Sequence, residues 1–551
     1  MKYTLSTNNR NQHYLDITFE AKVKEDTTII QLPAWRPGRY ELGNFAKNIQ
    51  QFAVENENGK SLSFNKISKD SWQVDTRKAK EIKVIYNYYS IDFNAGSTYL
   101  DEEVLYVNPV NCMVYIPGRE DEKCKVEIPK SKQEKFACGI PLKSGKITTK
   151  DFHELADTPF IISKNLQSKS YDSKGVNFAV WFYGECKPEW TKVIQDFKKF
   201  TDFQIKAFGD FPVKSYSYIN IILPYKAYHG VEHNTSTVIA LGPSYAVMDE
   251  LYTEFLGVSS HELYHTWNIK TIRPIEMNPY EYSKENYSKL GYVAEGVTTY
   301  MGALILHESG VFDKTQYAKE INQYLKKHYN NGGRLNKSVA DSSYDTWLDG
   351  YTMGVPDRKS SIYTEGCLIS LMIDWKTREA TGGKKSLHTI MKLLYQRFGK
   401  KEIGYSETDY KNLIEEVSGI SFTAFFNNYI WGTKDFTKEL TKCVKLAGFK
   451  LVKNKSQNAS ERFGLIPKYS AKSTEVVHVQ SGSSGYVAGL SRGDSIKAIN
   501  DYPVNNDLDK WLRYFENDSI RITYIRNGKL QTTTLSKPNK SQFWDYKVIE
   551  V

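Results

Sequence analysis

The chain has 551 residues, 40% hydrophobic and 25% charged, which is ordinary for soluble globular protein and long enough for about three or four domains. Its net charge of +10 comes with no Lys/Arg block interleaved with stacking aromatics, so nucleic-acid binding is set aside. No stretch approaches the roughly 18 consecutive apolar residues of a membrane-spanning helix.

From the start to about residue 165 the pattern is β. Tyr14-Leu15-Asp16-Ile17-Thr18-Phe19-Glu20-Ala21 alternates, as does part of Ile82–Tyr89, and turn signals such as Pro37-Gly38 and Asn56-Glu57-Asn58-Gly59 separate the runs. An antiparallel β-sandwich over residues 1–167 is the expected packing. Leu32-Pro33-Ala34-Trp35-Arg36-Pro37-Gly38-Arg39-Tyr40 concentrates rigid and aromatic residues beside two arginines. It reads first as a structural corner and second as the wall of a substrate cleft.

From about residue 170 strands and helices mix. Val176–Phe182 and Tyr216–Leu223 read as strands, and Pro188-Glu189-Trp190-Thr191 opens a helix through Phe203. A polar, glycine-bearing strand follows at Tyr228-His229-Gly230-Val231-Glu232-His233-Asn234. The next helix is expected from near Met248 through His265. Lys270–Leu290, broken by Pro274 and Pro279, reads as an excursion outside the core. Helical spacing resumes at Tyr292, and further helices are expected at Cys367–Thr377, Leu387–Phe398 and Asp409–Val417. A module of short strands occupies the remainder, 453–551.

The chemistry concentrates at His261-Glu262-Leu263-Tyr264-His265. Residues four apart on a helix stack one above the other, so His261 and His265 can offer two imidazoles to one cation. Glu262, one step round, can reach a water activated by that cation without being a ligand. Catalytic zinc takes three protein ligands. Asn268 and Thr271 stand where a metzincin carries Gly and His, which excludes that class. Glu276, Glu281 and Glu285 lie in the Pro-broken excursion. Glu295 lies on a strongly apolar helix, where an unpaired carboxylate is costly to bury and a cation removes the cost, so Glu295 is the expected third ligand.

A phenol donor for a developing oxyanion is offered by Tyr363, in Ser361-Ile362-Tyr363-Thr364-Glu365-Gly366, one tyrosine among 39. Glu232 reads either as a strand-edge carboxylate in an ion pair or as the anchor of a substrate ammonium. The six cysteines, at 112, 124, 138, 186, 367 and 443, form no C-x-x-C pair. They argue against a Cys-rich structural zinc site and against a disulfide framework. The first residues, Met1-Lys2-Tyr3-Thr4-Leu5-Ser6, lack the apolar core of an export signal. A soluble, cytoplasmic protein is therefore expected, with a periplasmic home left open had a leader been trimmed.

His261–Asn268, followed by Lys270 and Arg273-Pro274, resembles the catalytic signature of the glycyl aminopeptidase family of zinc metallopeptidases. Trp35-Arg36-Pro37-Gly38 with Tyr40 resembles the motif of that family's amino-terminal β domain. Gly230-Val231-Glu232-His233-Asn234 resembles its amine-binding strand, Ala294-Glu295-Gly296 the segment of the third ligand, and Tyr363-Thr364-Glu365-Gly366 that of the catalytic tyrosine. The tail resembles a PDZ domain, with Phe463-Gly464-Leu465-Ile466 as its carboxylate-binding loop and Ala488-Gly489-Leu490 with Gly493-Asp494 as its core turn.

The resemblance implies a multidomain α+β protein: a β-sandwich at 1–167, a mainly helical, thermolysin-like zinc peptidase domain at 168–452, and a PDZ domain with tail at 453–551. It implies Zn2+ on His261, His265 and Glu295, catalysis by Glu262 and Tyr363, and substrate binding by Glu232, Gly230 and His233. Peptides with a free amino terminus and a small first residue, glycine or alanine, are the implied substrates. A carboxy-terminal peptide is the implied ligand of the PDZ domain, with a fixed spacer as its other role. Two further readings stand beside this one: an endopeptidase using the same site, and a PDZ-led binding protein with a vestigial metal centre.

Overall fold

The computed structural model describes residues 1–351, 354–470, 473–537 and 543–551. Its amino-terminal region is built from sheets around one aromatic-rich core. The largest runs Lys146–Thr149, Cys124–Glu127, Lys2–Asn9, Tyr14–Lys22, Glu81–Tyr89 and Ile49–Asn56 from edge to edge. Alternation in Tyr14–Lys22 buries Leu15, Ile17, Phe19 and Ala21 on one face, as a half-buried strand requires. The expected sandwich is antiparallel with one exception, because Lys2–Asn9 runs parallel to Cys124–Glu127. The two segments lie far apart in sequence, so no hairpin forces their direction.

A five-stranded sheet follows, ordered Gln167–Ser173, Val176–Tyr183, Ser215–Ile222, Ser236–Gly242 and Ala227–Glu232. Ala227–Glu232 is antiparallel to its neighbour, and no strand among the described residues pairs with its other edge. The helix Trp190–Phe208 packs on this sheet through Val193, Phe197 and Phe200, apolar at helical spacing.

The helix that carries the histidine motif spans Tyr252–Tyr264, and His265 closes it as the C-cap. It begins later than its sequence suggests, because Val247–Leu251 form turns, with the Asp249 and Leu251 N–H groups both donating to the Ala246 carbonyl. It crosses the helix Thr298–Glu308 closely: a Cβ on Gly302 would come within 3.1 Å of the His261 backbone. Tyr292–Val297 is a π-helical turn leading into Thr298–Glu308. Gly296 lies against Gly366 of the helix Ile362–Ala380, and a Cβ on either would overlap the other's backbone. This contact brings Glu295 and Tyr363 to one place.

The excursion Lys270–Leu290 is irregular, as expected, but it is not outside the core. Met277, Tyr280 and Tyr282 are buried with Trp35, Trp347 and Ile269, filling the seam between the β domain and the helical region. The Ala34 N–H donates to the Tyr282 carbonyl at 2.8 Å and Trp35 Nε1–H to that of Glu281 at 2.8 Å.

The last region has its own small core around Phe463, Val476, Ile496, Leu512 and Ile522. Its antiparallel sheet runs Leu465–Ser470, Ser473–Val479, Ser495–Ile499, Ile520–Arg526 and Lys529–Leu535. Residues 471–472 and 538–542 of the predicted 453–551 module lie outside the described residues. Phe449–Lys455 pairs with Trp544–Glu550 across the module's base. Trp544–Glu550 lies on the helix Lys314–Tyr329, where Asn322 exchanges hydrogen bonds with Val548 and Tyr329 stacks on Tyr546. Among the described residues no helix is long and apolar enough to cross a membrane.

Candidate active site

His261 and His265 aim their Nε2 atoms at each other, 3.0 Å apart, with the rings nearly perpendicular. Glu295 Oε2 lies 3.5 Å from His265 Nε2 and 3.9 Å from His261 Nε2. Zinc–ligand bonds of roughly 2.0–2.1 Å in a tetrahedron space the donors about 3.3 Å apart. The three atoms fit that spacing. Two imidazole lone pairs facing at 3.0 Å also repel unless a cation or proton lies between them.

The surrounding bonds fix these donors. His265 Nδ1–H donates to the Asn268 carbonyl at 2.6 Å, which leaves Nε2 as the lone-pair donor. Asn268 Nδ2 donates in turn to the Val293 carbonyl at 2.9 Å and to Thr298 Oγ1 at 3.0 Å, tying the motif helix to the turn that carries Glu295.

Without a cation the charges in this cluster are strained. Burial, with His265 beside it, holds His261 well below the ordinary imidazole range. Burial also works against a charged His265, but Glu295, with Glu232 and Glu262, outweighs it and lifts the ring to about 10. Burial pushes the Glu262 carboxyl well up, and the charges of Glu232 and Glu295 add to this.

Glu232 is only 4% exposed and, among the described residues, its Oε1 has no hydrogen-bond partner; Glu262 is 5% exposed and its Oε2 likewise has none among them. Each of Glu232, Glu262 and His265 places an atom within 4.8 Å of the others. Gly230 lets the edge strand pass against the motif helix, since a Cβ there would overlap the Glu262 carboxylate. Gly38, at φ +83°, does the same for the β domain against Glu232. All of these groups line one cleft of about 570 Å³, with Tyr351 and Tyr363 on its wall and their hydroxyls 3.3 Å apart.

Comparison with known proteins bears on this arrangement. Residues 2–164 match the family model described as the Peptidase M61 N-terminal domain, and residues 254–369 that described as M61 glycyl aminopeptidase. The chain belongs to the M61 glycyl aminopeptidase family. An aminopeptidase N family protein from Idiomarina loihiensis superposes with a TM-score of 0.92 at 27% identity, over 100% of this chain and 98% of that one. An M1 zinc metallopeptidase from Deinococcus radiodurans is 12% identical, over 76% of this chain and 91% of that one, with a TM-score of 0.45, too remote to carry an argument. No functionally curated protein sequence matches the chain.

Several positions differ from the sequence-based expectations for a member of this family. His233 is not on the cleft wall; its Nδ1 lies 3.1 Å from Asp157 Oδ1. The strand Ala227–Glu232 ends before His233, and the His233 ring is held by Asp157 of the β domain. His229 lines the cleft instead, its Nε2 accepting from the Arg36 guanidinium at 3.2 Å. Burial, then Arg36 and Arg39, lower the His229 ring to about 3, so it stays neutral.

Leu32–Tyr40 is more than a corner. Arg36 reaches His229, and the Tyr40 hydroxyl donates to Glu295 Oε1 at 3.1 Å. Asp157, also from the β domain, accepts from Lys270 Nζ at 2.6 Å and from the Asn234 N–H at 2.8 Å. Burial works against its charge, but Lys270 and His233 prevail and lower the carboxyl from 3.8 to about 2. Glu276 and Glu281, weighed as ligands, are bonded to Ser288 and Ser283. In the last module the Phe463 N–H donates to Ala459 and Ser460 carbonyls and the Gly464 N–H to that of Glu461. Leu465 and Ile466 pair with Val479 and His478.

Proposed function

We propose that the protein is a zinc aminopeptidase that releases small first residues, glycine or alanine, from peptides. One observation carries the reading: three mutually spaced donors, His261, His265 and Glu295, share a cleft with two buried, unpartnered carboxylates, Glu232 and Glu262. Zinc, when bound, supplies a Lewis acid that polarises the scissile carbonyl and makes water nucleophilic at neutral pH.

The protein's own groups do the rest. The open edge of Ala227–Glu232 accepts the substrate as an added strand. Glu232 takes the substrate ammonium, and that fixed distance sets which bond lies at the chemistry. The ammonium and the cation both favour an ionised Glu262, which then removes the proton of the attacking water and delivers it to the leaving amine. Tyr363 donates its hydroxyl hydrogen to the developing oxyanion. Gly38 of the β domain packs directly against the Glu232 carboxylate, which supports a short first side chain.

We read the PDZ-like module as a spacer docked on the peptidase domain. Its loop N–H groups at Phe463 and Gly464 are already engaged by the preceding helical turn rather than facing a peptide carboxylate.

The test is metal analysis combined with hydrolysis of glycyl and alanyl amides, with and without chelator. One zinc per chain and chelator-sensitive cleavage are expected. In the Glu232→Ala variant, free-amine substrates should lose far more kcat/KM than amino-blocked peptides. Equal losses would remove the anchoring role and favour an endopeptidase.

A further inference from the structure

We propose that Tyr40, supplied by the amino-terminal β domain, is a positioning residue of the metal centre: its phenol holds Glu295 so that one carboxylate oxygen faces the two imidazoles. The inference rests on the metal reading above and adds a residue from another domain to it.

The two oxygens of Glu295 have separate roles. Oε2 points to His261 and His265, while Oε1 accepts from Tyr40 at 3.1 Å. Apart from the imidazoles, this is the hydrogen bond that the Glu295 side chain takes among the described residues. The neighbouring phenols of Tyr351 and Tyr363 are paired with each other. The last torsion of a glutamate is broad, with no deep staggered well to hold it. A carboxylate on a π-helical turn therefore needs an outside partner to present one oxygen in a set direction. A phenol carries one O–H to donate, and Glu295 Oε1 is the acceptor it meets.

Tyr40 is itself held in place. It is 3% exposed, and its ring meets the edge of Trp347 at 6.0 Å. Trp347 in turn meets Trp35 at 5.0 Å. The Gly38 turn and the hydrogen bond from the Arg39 N–H to the Arg36 carbonyl aim the chain at the cleft. The β domain thus reaches the metal centre through one rigid aromatic seam. Partners of this kind typically change metal affinity about 10–100-fold when removed.

The experiment measures zinc affinity of the full-length protein by competition with a chromogenic chelator, for the wild type, Tyr40→Phe, Glu295→Ala and the double variant. Phenylalanine keeps the ring and its packing but not the hydrogen bond, so the metal-free protein should still unfold cooperatively, with its midpoint only slightly lowered. Tyr40→Phe is expected to weaken zinc about 10–100-fold in the wild-type background and to have no further effect beside Glu295→Ala. Unchanged zinc affinity in Tyr40→Phe, or the same loss with and without Glu295, would overturn the inference while leaving the metal site intact. A wild type that binds no zinc would overturn the site reading and this inference with it.

Discussion

Asp157→Asn tests how firmly the β domain holds the end of the strand Ala227–Glu232. The carboxylate accepts from Lys270 Nζ, from the Asn234 N–H and from the His233 ring, and the Lys270 side chain is only 2% exposed. A carboxyl lowered from 3.8 to about 2 favours its charged state by about 2.5 kcal/mol. Because the folded value lies below the unfolded one, this stabilisation is in place above about pH 4 and is lost as pH falls through about 2. Removing the charge at neutral pH costs more than that figure, because it strands the buried Lys270 ammonium. Breaking such a pair typically costs about 3–5 kcal/mol.

The seam should therefore open at lower urea than in the wild type, followed by fluorescence of the seam residues Trp35 and Trp347. KM for free-amine substrates should rise as the Glu232 strand loosens. The double variant Asp157→Asn with Lys270→Met should recover much of the lost stability, since no buried charge is then left alone. A loss under about 1 kcal/mol in Asp157→Asn, or no recovery in the double variant, would refute the reasoning.

Glu262→Gln is expected to keep one zinc per chain while kcat falls about 10²–10⁴-fold, the range for removing a general base; metal content and turnover of the same sample decide it. Gly38→Ala should raise KM for free-amine substrates more than for amino-blocked ones. Its added methyl would overlap the Glu232 carboxylate, and its φ of +83° strains any side chain, so a lowered thermal midpoint of more than about 1 kcal/mol equivalent should accompany it.

Much of the helix Tyr252–Tyr264 is legible because its information is local. The spacing of His261 and His265 follows from helical periodicity, and Glu295 stood out as a carboxylate in an apolar run. Groups that act across domains left no such trace. Asp157 follows a short helix in the β domain, and nothing near it in sequence announces a lysine from the excursion beyond His265. Tyr40 sat in a segment read mainly as a corner, since its partner Glu295 is distant in the chain. The excursion itself looked polar and broken, yet Tyr280 and Tyr282 pack into the seam; two aromatics among prolines carry no periodic signal. His233 is expected at the cleft with its neighbours, but the strand ends at Glu232 and the ring meets Asp157, a partner far away in the sequence. In the tail, Phe463–Ile466 resembles a carboxylate-binding loop, and only the short helix Ala459–Arg462 shows that the Phe463 and Gly464 amides are engaged.

The pairing of Phe449–Lys455 with Trp544–Glu550 gives the tail module two moorings rather than one. A domain hung from a single thread can swing and sample distant surfaces; this one is stitched down where its strand enters and where its strand returns. The returning strand rests on the helix Lys314–Tyr329, which supplies Glu320 and Tyr324 to the cleft. The module's returning strand thus lies against the back of a helix whose front forms one bank of the cleft.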